Sequence, residues 1–241
     1  MDPDVLRCIV KDPTWYDKDY YVTGSKLSGY NPNHPYSWDY RWPFAYASVR
    51  DMISFCLPFK SVLEVGCATG VMVKVMQKWG FQAQGVDVSE WAIQNCVPDI
   101  KNSIKVADAR HLPWPDKSFD LVIALDVLEH IDHEESKKAL AEMMRVSRQE
   151  VMFRVAGLRD EEWDTNPNPA GWDKATGDDS HVNVIRSSEW ERIIRSLGWL
   201  HVSTNWGADL CMLDHLVGFV CRRPEFKLAV RGLEYNRPWK V

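Results

Sequence analysis

The chemistry in this chain is concentrated in Glu64-x-Gly66-x-x-x-Gly70. The pattern follows an apolar run, Val62 to Val65, and leads into Val71-Met72-Val73-Lys74-Val75-Met76. It therefore reads as a strand, a glycine turn and a helix, an order that holds nucleotide-like ligands. A dinucleotide turn needs glycine at the first, third and sixth positions of its fingerprint, and here those places hold Gly66, Ala68 and Val71. The fingerprint thus fails at its third and sixth positions, and with no Gly-Lys-Ser/Thr following, a P-loop is excluded as well. An acid two residues before the first glycine repels a pyrophosphate and suits a cation. Asp87 lies 21 residues after Gly66, at the end of the next predicted strand, where a carboxylate can accept from both hydroxyls of a ribose. No metal site is expected. The six cysteines (8, 56, 67, 96, 211, 221) form no C-x-x-C pair. The acids beside His130 and His133 are accounted for by a capping box, with Asp132 as N-cap and Glu135 three residues on.

The elements that position these residues alternate in type. Strands are predicted over 61–65, 82–87, 103–106, 119–125 and 150–155, with helices near 71–79, 89–96 and 133–147, which implies a parallel sheet with right-handed crossovers. A helical pattern also runs from Ser48 to Pro58, and Ser188 to Glu191 reads as a second capping box before a helix ending near Gly198. Trp199 to Trp206 and Leu216 to Arg222 follow as two closing strands. We divide the chain into an aromatic cap over 1–50, a main domain over 51–223 with a long polar loop at about 156–186, and a tail over 224–241. The cap holds seven of the eight tyrosines, in the stretch from Trp15 to Tyr46. Its rings can pack on the body or face a ligand. A loop as long as 156–186 is usually functional or disordered.

Composition bounds the function. The chain has 241 residues and is 45% hydrophobic, enough for one large α/β domain. Its 29 basic against 34 acidic side chains leave a net charge of −5, and the basic residues occur in pairs rather than stripes, so a nucleic-acid partner is not expected. No apolar run approaches a membrane span and the N-terminus has no signal-peptide pattern, which points to a soluble cytoplasmic protein with reduced core thiols. Oligomeric state leaves no trace in the sequence.

Three further stretches join the glycine turn in a family pattern: "GVDVSEWAI" (85–93), Asp108 after the third strand, and "LPWPDKSFDLVIALDVLEHI" (112–131). Together they resemble the class I S-adenosylmethionine-dependent methyltransferases, chiefly the small-molecule, type 11-like branch, over about 60–155. The resemblance implies a Rossmann-like α/β fold with a mostly parallel seven-stranded sheet and helices on both faces, and S-adenosyl-L-methionine as cofactor. It places Gly66, Cys67, Ala68 and Gly70 against the methionine part of the cofactor, with Glu64 orienting the turn. Asp87 would hold the ribose, and Val88 would border the adenine. Asp108 and the Ala109 amide would read the adenine edge, and the Leu125 carbonyl would face the cofactor's amino group. The Y-Y…G-Y arm implies contacts from Tyr20, Tyr21 and Tyr30. Ala68 departs from the glycine common in the family, which suggests tighter packing.

Methyl transfer from a sulfonium is an in-line displacement, so the protein aligns the partners and excludes water. A hydroxyl or ammonium acceptor also needs a base. Residues 125–128 read Leu-Asp-Val-Leu in place of the Asp/Asn-Pro-Pro motif of nucleic-acid amino methyltransferases, and no cysteine lies at Asp126 or Arg154-Val155 to attack a cytosine ring. The base candidates are His181, His130 and Asp126. His181 sits in "DDSHVNV", which resembles a segment of polysaccharide-linked and natural-product methyltransferases, with Asp178 or Asp179 placed to orient the imidazole. Glu161, Glu162, Trp163 and Trp172 could contact a sugar. The expected reaction is O-methylation of a small-molecule acceptor, a sugar or glycan precursor or a natural product. The alternatives are N- or C-methylation on the same scaffold, or a non-catalytic S-adenosylmethionine-binding relative.

Overall fold

The structure, a computed structural model, describes residues 12–23, 38–157, 180–203 and 216–226. Strands β1 (Ser61–Val65), β2 (Gln82–Asp87), β3 (Ile104–Val106), β4 (Phe119–Leu125), β5 (Ser147–Ala156), β6 (Leu200–Ser203) and β7 (Leu216–Arg222) form one sheet in the order β3-β2-β1-β4-β5-β7-β6. The pairs β3-β2, β2-β1, β1-β4 and β4-β5 are parallel, and β7 runs antiparallel to both β5 and β6. Strand order reverses between β1 and β4, and the crevice at the carboxyl ends of such a pair is where open α/β sheets bind ligands.

Period-two side chains explain the two cores. Leu63, Val65, Val122 and Ala124 face one layer, with Leu140 and Met143 of helix α4 (His133–Val146) and Trp190 of α5 (Ser187–Ser196). Val62, Leu121 and Ile123 face the other, with Val49 and Met52 of α1 (Trp38–Phe55) and Met72 and Met76 of α2 (Val71–Lys78). A short helix, α3 (Glu90–Gln94), is N-capped by Ser89, whose side chain accepts from the Ala92 N–H at 3.0 Å.

Several expectations about element ends are revised. Helix α1 begins at Trp38, ten residues ahead of the pattern read from Ser48, and it crosses the boundary drawn at residue 50. Pro43 lies inside it, which a local reading takes as a break. Burial of Ala45, Val49, Met52 and Ile53, spaced three and four apart, carries the helix through. Asp132 does cap α4, accepting from the Glu134 N–H at 3.0 Å, but Glu135 does not reach back to it; its carboxylate pairs with Arg110 at 3.1 Å. At α5 the N-cap position is Arg186, without a side-chain cap bond, so the capping box expected at Ser188 is not formed. Strand β5 starts three residues early, directly where α4 ends.

Candidate active site

β1 delivers the chain to the turn, and the backbone there is left-handed at Gly66 (φ 76°), Ala68 (φ 47°) and Gly70 (φ 79°). A β-carbon at Gly66 would collide with the side chain of Val127, and one at Gly70 with that of Ile100. Both positions therefore need glycine for conformation and for space. The Gly66 and Cys67 N–H groups donate to the Val86 carbonyl at 2.8 and 2.9 Å, and the Ala68 N–H donates to Asp87 Oδ2 at 2.8 Å. These amides are committed to β2 and are not presented as a phosphate cradle. Asp87 Oδ1 accepts from the Ser89 N–H at 2.8 Å and, more weakly, from the Tyr21 hydroxyl at 3.4 Å. Burial raises the Asp87 pKa, with the Ser89 and Ala68 amides opposing it. Behind the turn Glu64 is buried with Oε2 unpartnered, and burial followed by the Asp87 charge pushes its pKa up to about 8.

Over the carboxyl ends of β1, β2 and β4 lies a cavity of about 410 Å³. Tyr20, Tyr21, Gly66, Ala68, Asp87, Val88, Asp108, Ala109, Leu125, Asp126 and His130 line it, all of them expected from the sequence. Glu64, Cys67, Gly70 and His181 are not in its wall. Glu64 and Gly70 shape the turn from behind, and the Cys67 thiol is buried with its pKa pushed up, which leaves it unreactive. Tyr30, Glu161, Glu162, Trp163, Trp172, Asp178 and Asp179 lie outside the described residues.

Among the wall residues that were not anticipated are Tyr16 and Arg110. Arg110 grips Asp108 through Nε at 3.0 Å and Nη2 at 2.6 Å and reaches Glu135, so Asp108 meets a ligand with its carboxylate already oriented. The Arg110 hydrogen bond lowers the Asp108 pKa. A cation two residues after a binding acid was the available signal. Tyr16 belongs to a short arm that closes one side of the cavity. Its carbonyl accepts from the Ser89 hydroxyl, Tyr21 stacks on Trp91 at 5.7 Å, and the Tyr16 ring meets His130 edge-on at 6.1 Å. Ala68 packs with Tyr20 and Tyr21, which is the use of its methyl where glycine would be easier for the backbone.

One wall of the cavity is built by the end of β4 and the turn Leu128–His130, with the segment from Ser180 packed behind that turn. The Val182 and Asn183 N–H groups donate to the Glu129 carbonyl at 2.8 and 3.0 Å, stitching that segment to the turn. His130 Nδ1 is held by the Ser180 hydroxyl at 2.8 Å, and the His181 ring stands 4.8 Å from the His130 ring. His130 thus faces the cavity while His181 stands behind it. Asp126 (φ 58°) forms a two-pronged ion pair with Arg154, with Nε to Oδ1 at 2.8 Å. Burial works against its charge, but Arg154 and the two histidines together hold its carboxyl below the ordinary value. A carboxylate held ionised in this way is a poor proton acceptor, so the geometry favours the histidines over Asp126.

The residues present fit a nucleoside with a cationic tail. Asp87 and Asp108 present carboxylates to the cavity, and the buried acid Glu64 backs the turn.

Residues 63–155 match the family model described as a methyltransferase domain. Norajmaline N-methyltransferase of Rauvolfia serpentina is 34% identical over 97 residues, covering 36% of this chain and 32% of that protein. O-methyltransferase resE of Aspergillus sclerotiorum is 32% identical over 105 residues, covering 40% of this chain and 39% of that protein. The chain thus spans about a third of the length of these curated relatives. Among solved structures, magnesium protoporphyrin IX methyltransferase from Synechocystis PCC 6803 with bound SAH aligns with a TM-score of 0.59 at 16% identity, over 88% of this chain and 100% of that one. Among the described residues no helix is long and apolar enough to cross a membrane.

Proposed function

We propose that this chain, whose central domain is that of the class I S-adenosylmethionine-dependent methyltransferases, binds S-adenosylmethionine in the cavity and methylates a hydroxyl of a small molecule there. The observation that carries the reading is one cavity whose wall holds Asp87 and Asp108 together with His130, which is backed by His181. S-adenosylmethionine, when bound, supplies an electrophilic methyl group on sulfur. The protein's own share is positional. Asp87 accepts from the ribose hydroxyls, Asp108 and the Ala109 amide meet the adenine edge, and the Leu125 carbonyl takes the cofactor's amino group. The arm residues Tyr16, Tyr20 and Tyr21 shield the cavity from water. The histidine pair takes the acceptor's proton at an imidazole nitrogen, where the ordinary pKa lies close to neutrality.

A sugar or glycan precursor is the favoured acceptor, on the resemblance of the segment around His181. Transfer to nitrogen is the second reading, supported by the norajmaline and ajmaline N-methyltransferase relatives of Rauvolfia serpentina. The test is calorimetry with S-adenosylmethionine, S-adenosylhomocysteine and NAD, followed by transfer of labelled methyl to a panel of sugar nucleotides, phenols and amines. Binding of the first two ligands without NAD, and label in a hydroxyl product, is expected. NAD binding would overturn the cofactor assignment, and label confined to amines would overturn the O-methylation reading.

A further inference from the structure

Glu129, His130 and His181 come from two segments far apart in the chain, yet they bring one ligand atom each within 4.8 Å of one another. Glu129 is fully buried: Oε1 accepts from the Ala156 N–H at 2.8 Å, and Oε2 has no hydrogen-bond partner. A buried carboxylate oxygen left unsatisfied is costly, and such groups in folded proteins call for a ligand, an ion or water. The outer contacts resemble those around bound metals, where one atom of each side chain is fixed by the protein and the other presented to the ion. Ser180 holds His130 through Nδ1, and the Ala156 amide holds Glu129 through Oε1. His130 lines the cavity, so the cluster adjoins it through that ring, and three protein ligands leave a coordination position for an outside group.

We propose that Glu129, His130 and His181 form a binding site for a first-row divalent metal ion whose open coordination position faces the cavity. Two imidazoles and one carboxylate suit zinc, cobalt or iron rather than magnesium or calcium, which take oxygen ligands. Asp126 supplies no ligand, because Arg154 already occupies both its oxygens. Ligation at about 2.0–2.2 Å draws the donors closer than they stand, through rotation of two imidazoles that are only partly buried. The site deepens the methyl-transfer reading and rests on it for its purpose: an acceptor hydroxyl would take the open position and release its proton to solvent as the ion lowers its pKa, and its oxygen would then bond the methyl carbon as the bond to the cofactor's sulfur breaks. With the ion bound, the imidazole lone pairs are engaged, so proton acceptance by the histidines belongs to the metal-free protein.

The test uses the full chain, stripped with a chelator and titrated with Co²⁺ and Zn²⁺ by calorimetry and visible absorption, alongside Glu129→Gln and His181→Ala. Glu129→Gln keeps a carbonyl oxygen for the Ala156 amide, and S-adenosylhomocysteine binding reports that each variant is folded. One ion per chain is expected, with affinity reduced by more than about 100-fold in both variants, beyond what loss of an outer-shell contact costs. Absence of binding in the wild type, or unchanged binding in Glu129→Gln, overturns the site. Metal binding without S-adenosylhomocysteine binding would leave the site standing and remove the methyl-transfer reading, so the two fail separately.

Discussion

Asp87 is the residue on which recognition of the nucleoside turns. The Ser89 and Ala68 amides fix its two oxygens before any ligand arrives, and the long contact from Tyr21 is one that a ribose hydroxyl would displace. Each charge-assisted hydrogen bond is worth about 1.5–3 kcal/mol. Asp87→Ala removes the bonds to both ribose hydroxyls and is therefore expected to weaken S-adenosylhomocysteine binding by about 10²–10⁴-fold, measured by calorimetry; wild-type affinity would remove the ribose assignment. The histidines divide differently. His181→Ala should leave cofactor affinity nearly unchanged and lower turnover of the metal-free protein by about 10²–10⁴, the range for losing a positioned base. His130→Ala should do at least as much, since His130 is the ring in the cavity wall. Turnover equal to wild type in both would return the pair to tying the 180–183 segment to the sheet.

At the scale of elements, the arm and α1 are separable parts. Residues 45–53 of α1 pack into the core beneath α2, so removing residues 1–46 would cut through a structural helix. Removing residues 1–37 instead takes away Tyr16, Tyr20 and Tyr21, while the helix and sheet keep their contacts. That truncation is expected to unfold cooperatively within a few degrees of the full chain and to bind S-adenosylhomocysteine markedly less tightly, by thermal melting and calorimetry. Unchanged affinity would make the arm packing alone. At the opposite edge, Glu150 accepts from Arg222 Nε and from the Leu57 N–H, both at 2.6 Å, joining β5, β7 and the end of α1. Glu150→Ala removes the carboxylate paired with the buried Arg222 guanidinium and should cost about 3–5 kcal/mol in a denaturant titration.

For the molecule as a whole, stability should carry the signature of Glu64. Its carboxyl titrates at about 8 in the fold, against 4.5 as the ordinary value, so the folded chain binds the extra proton between those limits. A raised carboxyl pKa contributes stability that is fully present below the unfolded value and is lost as pH rises through the folded one. In the ligand-free protein, unfolding free energy should fall between about pH 4.5 and pH 8, and by less in Glu64→Gln, a difference on the order of several kcal/mol. Parallel curves for the two proteins would mean that Glu64 is ionised in the fold. What the sequence determined by itself was everything carried by local pattern. The strand-turn-helix around Gly66, the period-two strands, and the acids at the ends of β2 and β3 depend on neighbouring residues whose spacing is visible in one dimension. Tertiary structure alone decided the rest. Pro43 sits within a helix because the burial of Val49 and Met52 outweighs its local preference. Helix α5 starts at Ser187, so Ser188 lies inside it rather than at its cap, and Glu135 turns to Arg110, a partner distant in the chain. The cluster of Glu129, His130 and His181 exists only because the chain returns to β4 and places the Val182 and Asn183 amides on the Glu129 carbonyl, a contact that no local periodicity encodes.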